Sequence, residues 1–495
     1  MNFLYGLKLK VQSSMLTACI LLASSITSCS KAFHIGKTAR TEVIQNKALI
    51  AAHIGISIYE PASNKYWYEY QGDKYFVPAS NTKIATCYAA MKYLGDSIPG
   101  LRVGVAQNED SSVSYLAIQP MGDPTFLHPD FARQPAWDWV YRQLRKYHNE
   151  VAILDTVWRD DHFGSGWSWN DYEAAYMAER SSLPVYGNVI DMKLNAPANR
   201  DPSIKGGRSG NELLLFKTAS PYFDSIVNAR SFYLSKETQQ AVAPKILVGR
   251  ELSSNDFVIA ASSQVFSNAS IPFVTKGSKT AIELLSHDYQ VKIHHIRPQY
   301  DIPGSFLCEG CSGLNLKVKD WKTIWSRPLD SMLKPMMHRS DNFFAEQSLL
   351  MVSNKKLGYM NDEKIIDTIL KTDLSDLPQK PRWVDGSGLS RYNLFTPRDL
   401  VAILNKIRTE FGMDRVKLVF ATGGEGTISS YYRADSGYIY GKTGTLSGVV
   451  AFSGYLYTKK GKLLIFSTLV NNHQASATEV RKAVEKFLQT LREKY

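Results

Sequence analysis

A serine and a lysine three residues apart, in Ser80-Asn81-Thr82-Lys83, open a run of small and apolar residues that reaches Met91. A serine hydroxyl is a poor nucleophile at neutral pH and needs a base within hydrogen-bond reach. Three positions along a helix return to nearly the same face, so Lys83 can lie beside Ser80. A free lysine is protonated and useless as a base. Burial and a second cation lower its pKa, and Lys442 is the candidate cation. Two more short motifs follow in order, Ser340-Asp341-Asn342 and Lys442-Thr443-Gly444. Ser340 can relay a proton to a leaving amine. Asn342 offers an amide to orient Lys83 and a substrate peptide bond. Lys442 with the Thr443 and Thr445 hydroxyls can receive a carboxylate. The backbone N–H groups of Ser80 and Thr445 can form an oxyanion hole, aided by the positive end of the helix.

Taken singly, such motifs are background. Ser-x-x-Lys recurs at Ser28, Ser331 and Ser353, and Ser-x-Asn at Ser168, Ser209 and Ser253. Order and context single out the three. The elements that must position them read as follows. From His53, alternating Ile54, Ile56 and Ile58 and a turn at Pro61–Asn64 predict two strands. A buried helix follows, with Ser80 near its start. Asp130–Tyr147 reads as one helix. Thr280–Leu285 begins another, leading into a strand at Tyr289–Ile296. From Ser326 a long amphipathic helical stretch is expected, broken at Pro335, with Ser340-Asp341-Asn342 at a helix junction. Strands are expected at Gly437–Tyr440, Val449–Tyr457 and Lys462–Val470, with Lys442-Thr443-Gly444 starting a strand pair. A final helix covers Ala477–Lys494.

The 495 residues leave room for two to four domains and a large core. With 44% hydrophobic and 21% charged residues the chain is globular, and disordered, collagenous and coiled-coil classes are excluded. Past the N-terminus no apolar run reaches the roughly 20 residues that span a bilayer. The net charge of +12 lacks the Lys/Arg-rich blocks of a nucleic-acid binder, so no nucleic-acid partner is expected.

The first 14 residues carry Lys8 and Lys10 and no acid, and Met15–Ile26 is a short apolar stretch. This is the pattern of an export signal. It ends in Ile26-Thr27-Ser28-Cys29, which resembles the bacterial lipobox and implies lipidation of Cys29. Acyl chains would then hold the protein at a membrane surface on the periplasmic side of the cell envelope, with the outer membrane the expected site. Residues 29–45 read as a polar tether. Cys308 and Cys311 read as a local disulfide or free pair without a catalytic role, because no second ligand pair at zinc spacing accompanies them.

The three motifs together resemble those of the penicillin-binding acyl-serine enzymes. Asp385-Gly386-Ser387-Gly388-Leu389-Ser390, Gly424-Glu425-Gly426-Thr427, Gly122-Asp123-Pro124-Thr125, Gly166-Trp167-Ser168-Trp169 and SDNFFAEQSLL narrow the likeness to the S13 D-alanyl-D-alanine carboxypeptidase/endopeptidase family, the low-molecular-mass class C penicillin-binding proteins. The run Tyr176–Asn188 departs from the family's usual Pro-Val-Ser pattern. The resemblance implies an α+β fold: a transpeptidase/β-lactamase-like core, an antiparallel sheet flanked by helices, with large inserted α/β domains. The division is 1–28 signal, 29–45 tether, 46–97 core, 98–314 inserted domains and 315–495 core. It implies release of the terminal D-Ala from peptidoglycan stem peptides, cleavage of D-Ala–diaminopimelate crosslinks, and acylation by β-lactam antibiotics, with no cofactor. By position, Ser80 is the nucleophile, Lys83 its base, Ser340 and Asn342 the second motif, and Lys442, Thr443 and Thr445 the carboxylate and oxyanion side. Asp341 and Gly444 join the substrate-binding set.

Other readings are weaker. A non-catalytic cell-wall binder or β-lactam sensor could dispense with Ser80 or Lys83, and both are present. A serine β-lactamase needs a base for a deacylating water, and none is identifiable. Asp160-Asp161-His162 is better read as a solvated loop than a metal cluster, since no His-Glu-x-x-His accompanies it. His294 and His295 are neighbours in a strand and point to opposite faces. Asp385-Gly386-Ser387-Gly388 also reads as a tight turn that shapes a cleft.

Overall fold

The computed structural model describes residues 32–107, 114–147, 150–195, 213–228, 232–233, 245–262, 268–298, 306–309 and 317–495. Six strands form one antiparallel sheet in the order Ala421–Thr422, Ile439–Leu446, Val449–Tyr457, Leu463–Asn471, His53–Glu60 and Lys65–Tyr70. The first described strand of the chain therefore lies beside the last, with the second on its outer side. Side chains alternate across a strand, and here both faces are covered. Leu464, Phe466 and Val470 share a core with Val480, Val484 and Phe487 of the C-terminal helix, whereas Ile465 and Leu469 share one with Ala85, Ala89 and Leu400. The helix Lys83–Tyr93 has no exposed face, because every residue from Lys83 to Met91 is buried. Its alanines fit a helix enclosed by the sheet and by the helices Asp330–His338, Asn342–Leu357 and Pro397–Val419. Sheet and flanking helices make the expected α+β core.

Four expectations change. Residues 32–39 are helical and Arg40–Ile44 continues as a π-helix, with Ile35, Ala39 and Val43 buried under the sheet. The end of the expected tether is thus part of the core, because three apolar side chains at helical spacing find a surface to cover. The helix expected from Asp130 starts at Pro135, where a missing N–H costs nothing, and ends in a 3₁₀ turn at Leu144–Tyr147. Pro335 lies inside the helix Asp330–His338 instead of ending it. It forgoes one backbone bond, but burial of Met332, Leu333, Met336 and Met337 outweighs that loss. The break comes at Ser340, which has φ of 65°, before Asp341 caps the helix Asn342–Leu357. Last, the strand Ile439–Leu446 contains Lys442-Thr443-Gly444, where the sequence suggested that the strand closed at Tyr440.

The insertion carries a mixed six-stranded sheet in the order Phe306–Glu309, Lys292–Pro298, Glu150–Leu154, Ser114–Pro120, Ser97–Gln107 and Lys317–Pro328. Its outgoing strand Ser97–Gln107 and returning strand Lys317–Pro328 pair antiparallel. The chain re-enters the core near Leu329, later than the boundary expected at 315. From Val318 to Pro328 the side chains are half-exposed or exposed, which leaves little apolar alternation to mark that strand in the sequence. Smaller sheets lie in the same insertion. His294 and His295 do face apart: His294 stacks edge-on against Tyr115, and His295 Nε2 lies 3.0 Å from Ser278 Oγ. Residues 1–28, Cys29 and Cys311, and with them the lipobox and any Cys308–Cys311 pairing, lie outside the described residues.

Candidate active site

Ser80 sits in the 3₁₀ turn Ala79–Thr82 that leads directly into the buried helix. Ala79 has φ of 48°, a left-handed conformation costly for a residue with a Cβ. The turn is held from three sides. Thr82 Oγ1 donates to Ala79 O at 2.9 Å, Asn81 Nδ2 donates to Lys442 O at 2.9 Å, and Asn471 brackets Val77 through both its amide atoms. Asn81 thus fastens the Ser80 turn to the strand of the third motif. Two residues beyond Lys442, Gly444 packs so tightly that a Cβ there would lie 2.6 Å from Pro78 O and 3.0 Å from Ser80 N. Only glycine allows that strand to approach the turn.

Lys83 Nζ has three neighbours: Ser80 Oγ at 3.0 Å, Asn342 Oδ1 at 2.7 Å and Ser387 O at 2.7 Å. The Asn342 orientation is fixed because its Nδ2 donates to Tyr176 O at 2.9 Å. Asn342 Oδ1 and the Ser387 carbonyl are acceptors only, so they take two N–H bonds of the amine. What remains toward Ser80 is the third site on nitrogen, a proton in the ammonium and a lone pair in the neutral amine. Burial pushes the Lys83 pKa down to about 8, against the opposing pull of Glu346, Asp385 and Asp341. Of the two agents expected, burial and a second cation, burial is the one that acts, and the charge of Lys442 is not among the causes. Loss of hydration is the larger cause. Lys442 itself is held well below the usual lysine range, first by burial and then by the charge of Lys83.

Lys442 Nζ donates to Ser340 Oγ at 2.8 Å and to Thr443 O at 2.7 Å. Thr443 Oγ1 lies 2.6 Å from Thr427 Oγ1, and Thr445 Oγ1 accepts from Arg481 at 2.7 Å. The fold therefore brings Ser80, Lys83, Ser340, Asn342, Lys442 and Gly444 together at one site, with Thr443 and Thr445 on the same strand as Lys442. Asp341 has other work. One of its oxygens caps Phe344 N at 3.1 Å and the other accepts from Arg339. That places it in the support of the second motif, not in the substrate-binding set.

Behind Lys83 stands a buried ionic wall that the sequence did not disclose. Glu346 accepts from Ser387 N at 2.7 Å and Gly386 N at 3.2 Å, and so aims the Ser387 carbonyl at Lys83. Asp385 accepts from Gly388 N, Ser390 N, Asn393 and Trp167. Arg180, from the insertion, is 1% exposed and meets Asp362 at 2.5 Å, Asp160 at 3.1 Å and Glu346 at 3.5 Å. Asp160 thus belongs to this network and is not simply part of a solvated loop. Burial and the neighbouring Asp385 raise the Glu346 pKa to about 7, with Arg180 opposing. A polar cavity of about 1140 Å³ between residues 158–165 and the helix Asp362–Lys371 lies on the far side of this wall, away from Ser80. Replacing Arg180→Met leaves three carboxylates buried together. It is expected to lower stability by about 3–5 kcal/mol, read as a fall in the urea midpoint. A midpoint within the error of the native protein would mean that the insertion is not anchored here.

The motif residues were legible from their order. Asn81, Thr427, Glu346, Arg180 and Arg481 were missed. Asn81 and Thr427 lay inside runs already singled out, but nothing local says that their side chains reach the third motif. The Ser387 carbonyl, read as part of a turn, is a direct partner of Lys83.

Similarity to known proteins follows the same lines. The model of the D-Ala-D-Ala carboxypeptidase 3 (S13) family matches residues 38–208 and 322–491. A D-alanyl-D-alanine carboxypeptidase of an Actinomadura species is 25% identical over 457 residues, spanning 88% of this chain and 80% of that one. A D-alanyl-D-alanine carboxypeptidase of Haemophilus influenzae is 21% identical over 434 residues, spanning 83% and 84%. The crystal structure of penicillin binding protein 4 from Haemophilus influenzae superposes with a TM-score of 0.65 at 18% identity, covering 92% of this chain and 98% of that one. Both matched blocks hold the core elements described above, and the chain belongs to the D-Ala-D-Ala carboxypeptidase 3 (S13) family.

Proposed function

We propose that this chain is a serine-type D-alanyl-D-alanine carboxypeptidase acting on peptidoglycan stem peptides through an acyl-serine intermediate. The observation that carries the reading is the Lys83 amine, 3.0 Å from Ser80 Oγ with its other two neighbours acceptors. In its neutral form the amine takes the Ser80 proton as Oγ attacks the carbonyl of the penultimate D-Ala. The backbone N–H groups of Ser80 and Thr445 face the developing oxyanion. Ser340, bonded to Lys442, hands a proton to the nitrogen of the departing D-Ala, and the proton that Lys83 took from Ser80 replaces it, so that Ser340 is a hydroxyl and Lys83 neutral again. Water then attacks the ester, its proton returns through Lys83, and Ser80 is restored. One water is consumed for each peptide bond cut. Cleavage of D-Ala–diaminopimelate crosslinks uses the same steps with a larger leaving amine.

A β-lactam offers a strained amide to the same nucleophile. The Haemophilus influenzae protein of the same fold has been solved in complex with a β-lactam, which supports this part of the reading. Incubation with benzylpenicillin is expected to add one penicilloyl group, mapped by peptide mass spectrometry to the segment holding Ser80. An unmodified protein, or an adduct elsewhere, would overturn the assignment.

The reading also places the enzyme in the bacterial cell envelope, on the periplasmic side, with Cys29 lipidated at a membrane. Among the described residues no helix is long and apolar enough to cross a membrane. The anchor on this reading is the set of acyl chains on Cys29. Cys29→Ser is expected to move the protein from the membrane fraction to the soluble one. An unchanged distribution would reject the anchor and leave the enzymatic reading intact.

A further inference from the structure

Arg481 stands on the C-terminal helix Ala477–Lys494 and reaches the outer end of the Lys442 strand, where one of its terminal N–H groups donates to Thr445 Oγ1 at 2.7 Å. Its Nε is shielded from solvent and has no hydrogen-bond partner. The guanidinium lies 6.0 Å from the centre of the Tyr431 ring. Among the described residues no carboxylate pairs with it. The nearby acids of its own helix are engaged elsewhere: Glu479 caps Ser476, and Glu485 accepts from Tyr432 N at 2.5 Å. A half-buried cation without a counter-ion is unusual, because arginine in such settings is normally matched by a carboxylate or phosphate.

The hydrogen bond also has a direction. A threonine hydroxyl has one proton and two lone pairs. With a lone pair of Thr445 Oγ1 occupied by Arg481, the hydroxyl proton is free to point into the cleft. Arg481 thereby turns Thr445 into a donor and adds positive charge behind it. Both effects favour an anion bound beside Thr445.

We propose that Arg481 is a specificity-determining residue that reads the carboxylate on the carbon next to the leaving nitrogen, acting with Thr445. This rests on the reading of Ser80 as nucleophile. The ligand class is an acyl-D-amino acid with a free α-carboxylate, or a β-lactam with its ring carboxylate. A substrate in which that carboxylate is masked forfeits the contact.

The test compares acylation of the full chain by benzylpenicillin and by its methyl ester, followed by intact mass. The native enzyme is expected to favour the acid. In Arg481→Gln the acid-over-ester rate ratio is expected to fall about 10- to 100-fold, the range for a hydrogen bond to a charged group. Arg481→Lys, which keeps the charge, is expected to retain more of the ratio than Arg481→Gln. Equal slowing of both reagents in Arg481→Gln, leaving the ratio unchanged, would reduce Arg481 to a structural support and overturn the proposal. So would a ratio in Arg481→Lys as low as in Arg481→Gln, since charge would then be irrelevant. Failure of the native protein to form any Ser80 adduct would instead reject the hydrolase reading, so the two failures are distinguishable.

Discussion

Ser80→Ala is expected to abolish covalent labelling by penicillin and to lower D-Ala release at least about 10³-fold, because the only atom able to form the acyl bond is gone. The fold should survive. Ser80 Oγ has one neighbour in the network, Lys83 Nζ, which keeps Asn342 Oδ1 and Ser387 O. The thermal midpoint of the variant should therefore stay close to native, and activity and stability separate cleanly. D-Ala release from a stem pentapeptide, quantified against the native enzyme, checks the first number. Release within a factor of ten of native by a folded Ser80→Ala protein would mean that another group attacks.

The second large effect concerns Lys83. Its pKa is lowered by burial to about 8, so the neutral amine grows as pH rises. The sign follows from the role: a base must be unprotonated, hence acylation should be slow in acid and accelerate through pH 8. Below that point the rate should rise about tenfold per pH unit, and it should level above it. Lys83→Met removes the base while roughly keeping the buried volume. Acylation should drop by about 10²–10⁴-fold and lose its dependence on pH in this window. Rates of penicilloylation from about pH 6 to about pH 9.5 measure both features. A native profile already flat from pH 6 would show that the proton of Ser80 goes elsewhere. The rising limb is also open to modulation by the wall, because Glu346 is shifted upward toward about 7 and its charge opposes the lowering at Lys83.

The wall explains why the insertion matters to the chemistry. Tyr176 holds Asn342 through its carbonyl, Trp167 bonds Asp385, and Arg180 bridges Glu346 to Asp160 and Asp362. Each contact joins a residue of the inserted segment to a group that bonds Lys83 or acts on its charge. The long gap between Ser80 and Ser340 thus encodes more than a decoration of the core.

Much of the fold was legible because its signals are local. The alternation of Ile54, Ile56 and Ile58 marks a strand, and all three side chains do fall in one core, while Gly55 and Ser57 between them are buried on the other face. The C-terminal helix was legible over Ala477–Lys494, and the structure starts it there, with Ser476 and Glu479 forming a capping box. Misreadings came where packing overrode local preference. Pro335 suggested a break, but four buried side chains around it hold the helix. The stretch after Cys29 looked polar enough to be a tether, yet Ile35, Ala39 and Val43 are buried.

What the sequence by itself determined is the chemistry: a hydroxyl and an amine one helical turn apart, and two later motifs that supply an amide, a second amine and further hydroxyls. Residue types and short spacings fix which bonds such groups can make and break. Only the tertiary structure decided how those groups are tuned. The depressed Lys83 pKa needs a dry interior, the aim of the Ser387 carbonyl needs Glu346, and the direction of the Thr445 hydroxyl needs Arg481. Each depends on atoms brought together from distant positions, as when Asn81 reaches the carbonyl of Lys442 across 361 residues. Dielectric environment and hydrogen-bond direction are properties of a packed volume, and no linear spacing carries them.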